Sequence, residues 1–195
     1  MEDLKEKKQE IRNQVEEKLN SLSKKEISEK YAQIEEQLFD FANFREAEVT
    51  LLYINQHNEM DSQNILKYCS DSTKNIVLPL FMPKNNGARL YKINNIDTDL
   101  KPGANNILEP NPDRCKRITI DDVDIAIIPG IAFDEKGGRL GTGSGRYDRI
   151  IPKLPATARK VACALEDQMT QQVPMESHDK YVDIIITDKR IIYKI

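Results

Sequence analysis

Apolar residues near the start of the chain recur at helical spacing, with charged residues between them. The apolar positions on this first face are Leu4, Ile11, Val15, Leu19 and Leu22. They predict an amphipathic helix over residues 4–20. The sequence Ser23-Lys24-Lys25-Glu26 then has the form of a capping box, and apolar residues follow at steps of four and three up to position 41. A second helix is therefore expected directly after the first.

From residue 49 onward, short apolar runs alternate with helix-like and turn-like segments. The runs 49–54, 76–80, 123–128, 161–165 and 182–187 are typical of buried strands, and 89–93 alternates like a half-exposed strand. Helices are predicted at 62–69 and 166–172. Strands that alternate with helices indicate an α/β fold with a mostly parallel sheet and helices on both faces. We expect one domain over residues 1–195, with the N-terminal helical pair packed on the sheet.

Two details of this pattern depend on particular residues. Pro79 and Pro83 are expected to end the strand at 76–80, because proline cannot donate a backbone hydrogen bond. Residues 94–113 are rich in Asn, Asp, Pro and Gly, and we expect them to form mostly loop with little regular structure.

Composition and charge argue against some classes of partner and indicate a cellular location. A net charge of −3 and a pI near 5.6 argue against a general nucleic-acid binder, so any anion site must be local. The first thirty residues are crowded with Lys and Glu, and the apolar runs are too short to span a bilayer. We therefore expect a cytoplasmic protein with no signal peptide and no membrane partner, and a monomer. Cys69, Cys115 and Cys163 are predicted to be reduced thiols.

The segment 123–149 stands out because six of the chain's eight glycines lie between residues 130 and 145. Glycine permits positive φ and close backbone approach, so this density predicts a shaped loop. A strand, a glycine-rich loop and a helix start together offer backbone N–H groups to an anion such as phosphate. The spacing matches neither a Walker A loop nor a dinucleotide fingerprint. On the residues alone, a plain surface turn is an equal alternative.

Lys8 and Arg12 are four residues apart and so lie on one face of the predicted first helix. Together they would be able to grip a polyphosphate. A solvated charged face with Glu neighbours is the interpretation that the residues alone favour.

The sequence PGIAFDEKGGRLGTGSGRYDR, residues 129–149, resembles the signature of the 5-formyltetrahydrofolate cyclo-ligases, also called 5,10-methenyltetrahydrofolate synthetases. Further landmarks of that family occur in the same order along nearly the whole chain. They are Lys8-x-x-x-Arg12, Glu59, Ile107-Leu108-Glu109-Pro110, Val173-Pro174, His178-Asp179 and the following strand VDIIIT.

This resemblance implies a single three-layer α/β/α domain, in agreement with the pattern of strands and helices. It also implies an ATP- and Mg²⁺-dependent closure of 5-formyltetrahydrofolate to 5,10-methenyltetrahydrofolate, with release of ADP and phosphate. ATP would phosphorylate the formyl oxygen, and N10 of the folate would then attack the activated carbon. An enzyme of this kind chiefly positions two ligands and stabilises phosphoryl charge.

The resemblance also assigns roles to individual residues. Arg139 and Tyr147 would be catalytic, and Asp148 and Asp179 would hold Mg²⁺ as hard oxygen ligands. Glu59 would contact the folate, and Ile54 and Phe81 would line the same pocket, although plain core packing is equally compatible with these two apolar residues. The residues implied in ATP binding are Lys8, Arg12, Arg139, Gly141, Thr142, Gly143, Ser144, Gly145, Arg146 and Tyr147.

Two positions depart from the family signature. Ser144 stands where many members have Gly or Lys, and Arg146 stands where Tyr or Phe is usual. Arg146 would restore a charge at the phosphate site, or it would stack on a ring or reach the substrate's carboxylates.

Besides the enzyme, two other functions are compatible with parts of the sequence. A protein of the same fold that binds folate or a nucleotide without turnover is the main alternative to the enzyme. A third possibility is that the charged N-terminal helices form an interaction module and the glycine loop is structural. The predicted chemistry needs no histidine, so His57 and His178 are expected to be solvated loop residues.

Overall fold

The computed structural model describes residues 2–56, 58–82 and 87–194, so that His57 and Pro83 lie outside the described residues. Its α-helices are α1 (Glu2–Ser21), α2 (Lys24–Asp40), α3 (Ala42–Glu46), α4 (Gln63–Ser70), α5 (Ile96–Asp99) and α6 (Arg146–Ile150). The predicted capping box is present at the start of α2, where Ser23 and Glu26 bond reciprocally. Among the described residues, no helix is both long enough and apolar enough to cross a bilayer.

The strands are short and most of them join one sheet. They are β1 (Val49–Leu51), β2 (Asn75–Met82), β3 (Gly87–Ile93), β4 (Leu100–Pro102), β5 (Leu108–Pro110), β6 (Arg117–Ile118), β7 (Ile125–Ile127), β8 (Ala132–Phe133), β9 (Arg139–Leu140), β10 (Arg159–Cys163), β11 (Ile184–Ile186) and β12 (Ile191–Tyr193). The main sheet has the order β12-β11-β10-β7-β1-β2-β3-β6. Its centre, from β2 to β11, is parallel, whereas β12, β3 and β6 are antiparallel to their neighbours.

Both faces of the sheet are covered. On one face, Ile34 and Leu38 of α2 and Ile65 of α4 pack against the sheet. On the other face, Ile150 and Leu154, from α6 and the turn that follows it, pack against Leu51, Ala126 and Ala162. The predicted α/β architecture, with a mostly parallel sheet, is confirmed.

Of the N-terminal pair, α2 packs on the main sheet as predicted, whereas α1 packs chiefly on the small β8–β9 hairpin. Its Val15 is buried against Ile131, Ala132 and Leu140 of the small β8–β9 hairpin. The hairpin carries the glycine-rich segment, so α1 is tied to the loop rather than to the central strands.

Three local predictions were wrong. Residues 94–113 contain α5 and the β4–β5 hairpin, because Asp99 accepts hydrogen bonds from the N–H groups of Asn94 and Asn95 and orders the start of the segment. Residues 166–172 form only a 3-10 turn, Glu166–Gln168. Gln168 is buried there, and its amide donates to the carbonyl of Ile131 instead of extending a helix.

The third wrong prediction concerns Pro79, which does not end its strand, since β2 continues to Met82. The backbone N–H of Asn75 donates to the carbonyl of Glu48, and the carbonyl of Val77 accepts from the N–H of Leu52. The backbone polar groups of the odd-numbered residues of β2 therefore point toward β1. The pairing with β1 stops at Val77. Opposite Pro79 there is no β1 residue to accept a backbone hydrogen bond, so the missing N–H of the proline costs no bond of the sheet. The three cysteines are buried free thiols, as predicted.

Candidate active site

The site lies where the strand order of the sheet reverses. After β1 the chain passes through α4 to β2 on one side, whereas after β7 it passes through α6 to β10 on the other side. Because β1 and β7 are parallel neighbours, the segments that follow them diverge and leave a crevice at their carboxyl ends. Glu59 follows β1, and the glycine-rich segment follows β7.

A buried aspartate fixes the turn that leads into the glycine loop. The Oδ1 of Asp134 accepts from the N–H groups of Lys136 and Gly138, at 2.9 and 2.8 Å, and its Oδ2 accepts from Val173 at 2.8 Å. A Cβ on Gly138 would lie 2.5 Å from this carboxylate, so the turn requires glycine there. The turn sets the start of β9 and hence the position of Arg139.

Arg139 is 5% exposed and is held at both terminal nitrogens. One donates to the carbonyl of Pro129 at 3.0 Å, and the other to Asp148 Oδ1 at 2.7 Å. The Nε–H has no hydrogen-bond partner within the described part of the chain. A buried donor without an acceptor is costly, and it is the kind of group that a bound anion satisfies.

The loop from Gly141 to Gly145 is supported at both ends by guanidinium groups. Arg12 Nε donates to the carbonyl of Gly141 at 3.0 Å, and Arg149 donates to that of Ser144 at 3.1 Å. Gly143 and Gly145 have φ of +95° and +62°, which favour glycine. In the described ranges, no backbone N–H of residues 142–145 donates a hydrogen bond. The loop therefore presents its N–H groups to the crevice without a protein acceptor.

Lys8 is buried in an acidic pair and is not part of a solvated face. Its Nζ lies 2.8 Å from Glu176 and 2.5 Å from Asp179, which also accepts from the N–H of Glu176. Burial alone would raise the pKa of Asp179, but the hydrogen bonds from Lys8 and from Glu176 hold it below its usual value. Burial opposes the charge of Lys8, yet these two carboxylates raise its pKa. His178 is exposed, as predicted, and its Nε2 lies 3.4 Å from Asp179.

The predicted metal ligands come from adjoining segments. Asp148 Oδ1 accepts from Arg139 and from the N–H of Lys180, at 3.1 Å, the residue that directly follows Asp179. Within the described structure, Asp148 Oδ2 accepts no hydrogen bond, so one oxygen is available to a cation. Among the described residues, ligand atoms of Glu176, His178 and Asp179 lie within 4.8 Å of one another, and Asp148 is not part of that group. These carboxylates are hard ligands and fit Mg²⁺.

Two connected cavities occupy the crevice. The glycine-loop cavity, of about 560 Å³, is lined by Lys8, Arg12, Arg139, the loop 141–145, Asp148 and Asp179. The hairpin cavity, of about 170 Å³, lies between β2, the β4–β5 hairpin and the segment after β1, and is lined by Ile54, Phe81, Leu108 and Glu109 among others. Gln56, Glu59, Arg146 and Tyr147 line both cavities.

The boundary between the cavities combines a carboxylate with aromatic rings. The pKa of Glu59 is raised, because burial outweighs two opposing effects. These are the hydrogen bond from the N–H of Gln56, 2.9 Å from its Oε2, and the charges of Arg139 and Arg146. The ring of Tyr147 meets that of Phe81 edge-on at 5.7 Å, and burial raises the pKa of its hydroxyl. The guanidinium carbon of Arg146 lies 5.0 Å from the centre of the Phe81 ring.

All site residues predicted from the sequence line one of these two cavities, and their roles stay predictions. The sequence reasoning did not single out Glu176, Gln56 or Leu108. The sequence contains a signal for Glu176, because it stands two residues before His178-Asp179. At this spacing its carboxylate can lie close to the ligand atoms of those two residues. Gln56 and Leu108 had none, since a polar loop residue and an apolar strand residue carry no specific pattern.

Comparison with known proteins identifies the family of the chain. The sequence model of the 5-formyltetrahydrofolate cyclo-ligase family matches residues 4–188. A 5-formyltetrahydrofolate cyclo-ligase of Mycolicibacterium smegmatis is 37% identical over 42% of this chain and 42% of its own length. The mitochondrial one of Arabidopsis thaliana is 29% identical over 69% of this chain and 56% of its own length. This chain thus spans about half the length of these two relatives.

Two other proteins match over almost their full length. A probable 5-formyltetrahydrofolate cyclo-ligase of Schizosaccharomyces pombe is 27% identical over 97% of this chain and 98% of its own. The solved structure of Aquifex aeolicus 5,10-methenyltetrahydrofolate synthetase superimposes with a TM-score of 0.82 at 29% identity, over 95% of this chain and 92% of that one. With the family match over residues 4–188, these findings show that the chain belongs to the 5-formyltetrahydrofolate cyclo-ligase family.

Proposed function

We propose that this protein closes 5-formyltetrahydrofolate to 5,10-methenyltetrahydrofolate at the expense of ATP, releasing ADP and phosphate. The observation that carries the proposal is the pair of connected cavities. One offers cations and free backbone N–H groups, the other offers apolar walls and a buried carboxylate, and four residues line both. A reaction between a polyphosphate and an aromatic heterocycle needs such an arrangement.

The glycine-loop cavity suits the triphosphate. The unpartnered Nε–H of Arg139 and the N–H groups of residues 142–145 are donors for phosphate oxygens, and Arg12 already borders the loop. Donors that are fixed before the reaction stabilise charge as it develops on the transferred phosphoryl group. We assign Arg139 this catalytic role, and Tyr147, at the boundary of both cavities, the role of ordering the reacting groups.

The hairpin cavity suits the folate. Glu59 is a carboxylate able to accept the paired N–H donors of a pterin edge, and Ile54 and Phe81 supply apolar walls. In this placement the formyl oxygen attacks the γ-phosphorus of ATP, the bond from that phosphorus to the bridging oxygen breaks, and ADP leaves. N10 then attacks the activated carbon and loses its proton, and phosphate departs as the ring closes.

Asp148 and Asp179 would hold Mg²⁺, together with phosphate oxygens. The cation would supply charge neutralisation for the polyphosphate. Lys8, which pairs with Glu176 and Asp179, lines the same cavity and would be available to a phosphate oxygen if the cation took its place beside Asp179.

The test is to mix purified protein with 5-formyltetrahydrofolate, ATP and Mg²⁺ and to follow the absorbance of the methenyl product. Product that forms only with ATP supports the proposal. Calorimetric binding of either ligand without product would instead favour a binding protein of the same fold. A matched control is the Arg139→Ala variant, which keeps the apolar cavity and removes the central cation.

A further inference from the structure

Gln168 is buried between the two sides of the crevice, although it lines neither cavity. Its side chain is 1% exposed. It belongs to the 3-10 turn that follows β10, the strand next to β7 in the sheet. A buried amide is costly unless its polar atoms are paired, so the position of this side chain depends on the hydrogen bonds that it makes.

The amide of Gln168 joins the segments that follow three neighbouring strands. Its Oε1 accepts from the N–H of Leu165 at 2.9 Å, within its own turn after β10. Its Nε2 donates to the carbonyl of Ile131, after β7, at 3.0 Å and to that of Asn58, after β1, at 3.3 Å. The carbonyl of Gly130 lies 3.4 Å from the same nitrogen. The side chain is thus bonded across the carboxyl ends of β10, β7 and β1.

On the β1 side, the bonded carbonyl belongs to Asn58, the residue before Glu59. Glu59 and Gln56 bond to each other, since the N–H of Glu59 donates to the carbonyl of Gln56 at 3.1 Å and its carboxylate accepts from the N–H of Gln56 at 2.9 Å. In the described part of the chain, the other hydrogen bonds of this loop also stay within residues 53–62. The bond from Gln168 therefore ties the loop to the opposite side of the crevice.

On the β7 side, the bonded carbonyl belongs to the segment that supports Arg139. Arg139 donates to the carbonyl of Pro129, two residues before Ile131, at 3.0 Å. The N–H of Ile131 in turn donates to the carbonyl of Leu140, next to Arg139, at 2.7 Å. The amide of Gln168 is therefore bonded to the same short segment that holds the central cation of the glycine-loop cavity.

The two sides depend unequally on this amide. The turn after β10 is also held to the glycine-rich segment by its backbone, since the N–H of Thr170 donates to the carbonyl of Phe133 at 2.8 Å. Between this turn and the loop of Glu59, the described residues show no hydrogen bond other than that of Gln168. Loss of the amide would therefore leave the glycine-loop cavity in place and allow the loop of Glu59 to shift relative to it.

We propose that Gln168 is a positioning residue, whose amide sets the distance between Glu59 and Arg139. This inference rests on the proposed function, in which Glu59 holds the folate and Arg139 the phosphate. Each ligand by itself meets an intact pocket without the amide, so the binding of one ligand at a time does not depend on it. Transfer of the phosphoryl group to the formyl oxygen does, because a displacement of about 1 Å between reacting atoms can cost roughly a hundredfold in rate.

The experiment compares Gln168→Met with the wild type in two measurements. Methionine has nearly the same length as glutamine but has no N–H to donate. Steady-state kinetics should show a kcat lower by about ten- to a hundredfold. Calorimetry with Mg²⁺–ATP alone, and with 5-formyltetrahydrofolate alone, should give Kd values within about twofold of the wild type. A side chain with a merely structural role would lower the melting temperature and leave the kcat of the folded protein unchanged.

Gln37→Met is the matched control. Gln37 is half-buried, and its amide donates to the carbonyl of Thr187 at 2.7 Å. This bond ties α2 to the residue after β11, and neither residue lines the two cavities. The control variant loses the same kind of bond between segments and should keep the kcat of the wild type.

Gln168→Glu keeps the proposal testable if Gln168→Met does not fold. Burial favours the protonated form of the introduced carboxyl, which can donate to one carbonyl and accept from the N–H of Leu165 as the amide does. The ionised form has no proton to donate and repels the carbonyls. The kcat of Gln168→Glu relative to the wild type should therefore rise as pH is lowered.

Three results would overturn the positioning role while product formation by the wild type upholds the proposed function. They are a wild-type kcat in Gln168→Met, an equal fall of kcat in Gln37→Met, and a kcat ratio of Gln168→Glu that does not change with pH. A weaker Kd for one ligand alone that accounts for the whole loss of activity would also overturn it, because the amide would then shape one pocket. Absence of product from the wild type would remove the proposed function, and the positioning role with it.

Discussion

The glycine-loop cavity and the hairpin cavity share four residues but are held together differently. The first is closed by ion pairs, one between segments far apart in sequence, Lys8 with Asp179, and one within the glycine-rich segment, Arg139 with Asp148. The second is walled by apolar side chains around Glu59, which is bonded to its own loop through Gln56. On the proposed function, binding in the first cavity would exchange ion-pair partners, whereas binding in the second would fill space and satisfy one buried acid.

The largest effect is expected for Arg139→Ala in the glycine-loop cavity. This variant removes the central cation and leaves the half-buried Asp148 without the cation that it pairs with. We expect kcat/KM to fall on the order of a thousandfold and the free energy of unfolding to fall by about 3 kcal/mol. Steady-state kinetics and urea unfolding measure the two losses. Arg139→Lys should recover part of each, and activity within tenfold of the wild type in Arg139→Ala would contradict the assigned role.

Glu59→Gln should separate the two cavities kinetically. The variant keeps the size of the side chain but removes the charge that would accept paired N–H donors from a pterin. We expect the KM for the folate to rise about tenfold or more, since hydrogen bonds to charged groups contribute roughly 1.5–3 kcal/mol. The KM for ATP should stay unchanged. An equal rise in both constants would show that the cavities do not act separately.

Lys8→Met should have the reverse signature, with a higher KM for ATP and an unchanged KM for the folate. The expected rise is about tenfold, the loss of one charge-assisted contact to a phosphate. Arg12→Met provides the comparison from the next turn of α1. A change confined to the folate constant would disprove the proposed contact of Lys8 with ATP.

The same variant tests how the Lys8 ion pairs depend on pH. The pKa of Asp179 is lower in the folded state, so its contribution to stability is present above its ordinary pKa of 3.8 and is lost as pH falls through the lower folded value. The pKa of Lys8 is higher in the folded state, so its contribution is present below 10.5 and is lost as pH rises through the higher folded value. Urea unfolding of wild type and Lys8→Met should therefore differ near neutral pH and converge in acid.

The smallest effect is expected for Gly145→Ala. A residue with φ of +62° costs about 1 kcal/mol when it carries a Cβ, which lowers the melting temperature by about 2–4 °C in a protein of this size. Gly145→Asn should lose less, because asparagine tolerates this conformation. Calorimetry measures both, and an unchanged melting temperature in Gly145→Ala would show that the loop relaxes.

The sequence predicted those parts of the structure whose signals are local. The capping box at Ser23, the amphipathic faces of α1 and α2 and the buried strands are set by residues within a few positions of one another, and the structure contains them. The glycine cluster likewise predicted a shaped loop after β7. The prediction for β10, residues 161–165, was displaced by two residues. The prediction for β11, residues 182–187, was two residues too long at its start and one at its end, because the apolar run extends beyond the ladder bonds.

The features that the sequence did not reveal depend on distant partners. The residues alone favoured a solvated face for Lys8, and the reason this was wrong is a pair of carboxylates more than 160 positions away. The β4–β5 hairpin was missed because each strand has three residues, too few for an alternating pattern. Pro79 was misjudged because its effect depends on where β1 stops, which the residues around Pro79 do not encode.

The contact between Lys8 and Asp179 joins residues 171 positions apart. During synthesis on the ribosome, α1 emerges long before the segment that carries Glu176 and Asp179. The glycine-loop cavity is therefore among the last parts of the molecule to be completed, and the nascent chain cannot use its ligand to guide folding until that segment has left the exit tunnel.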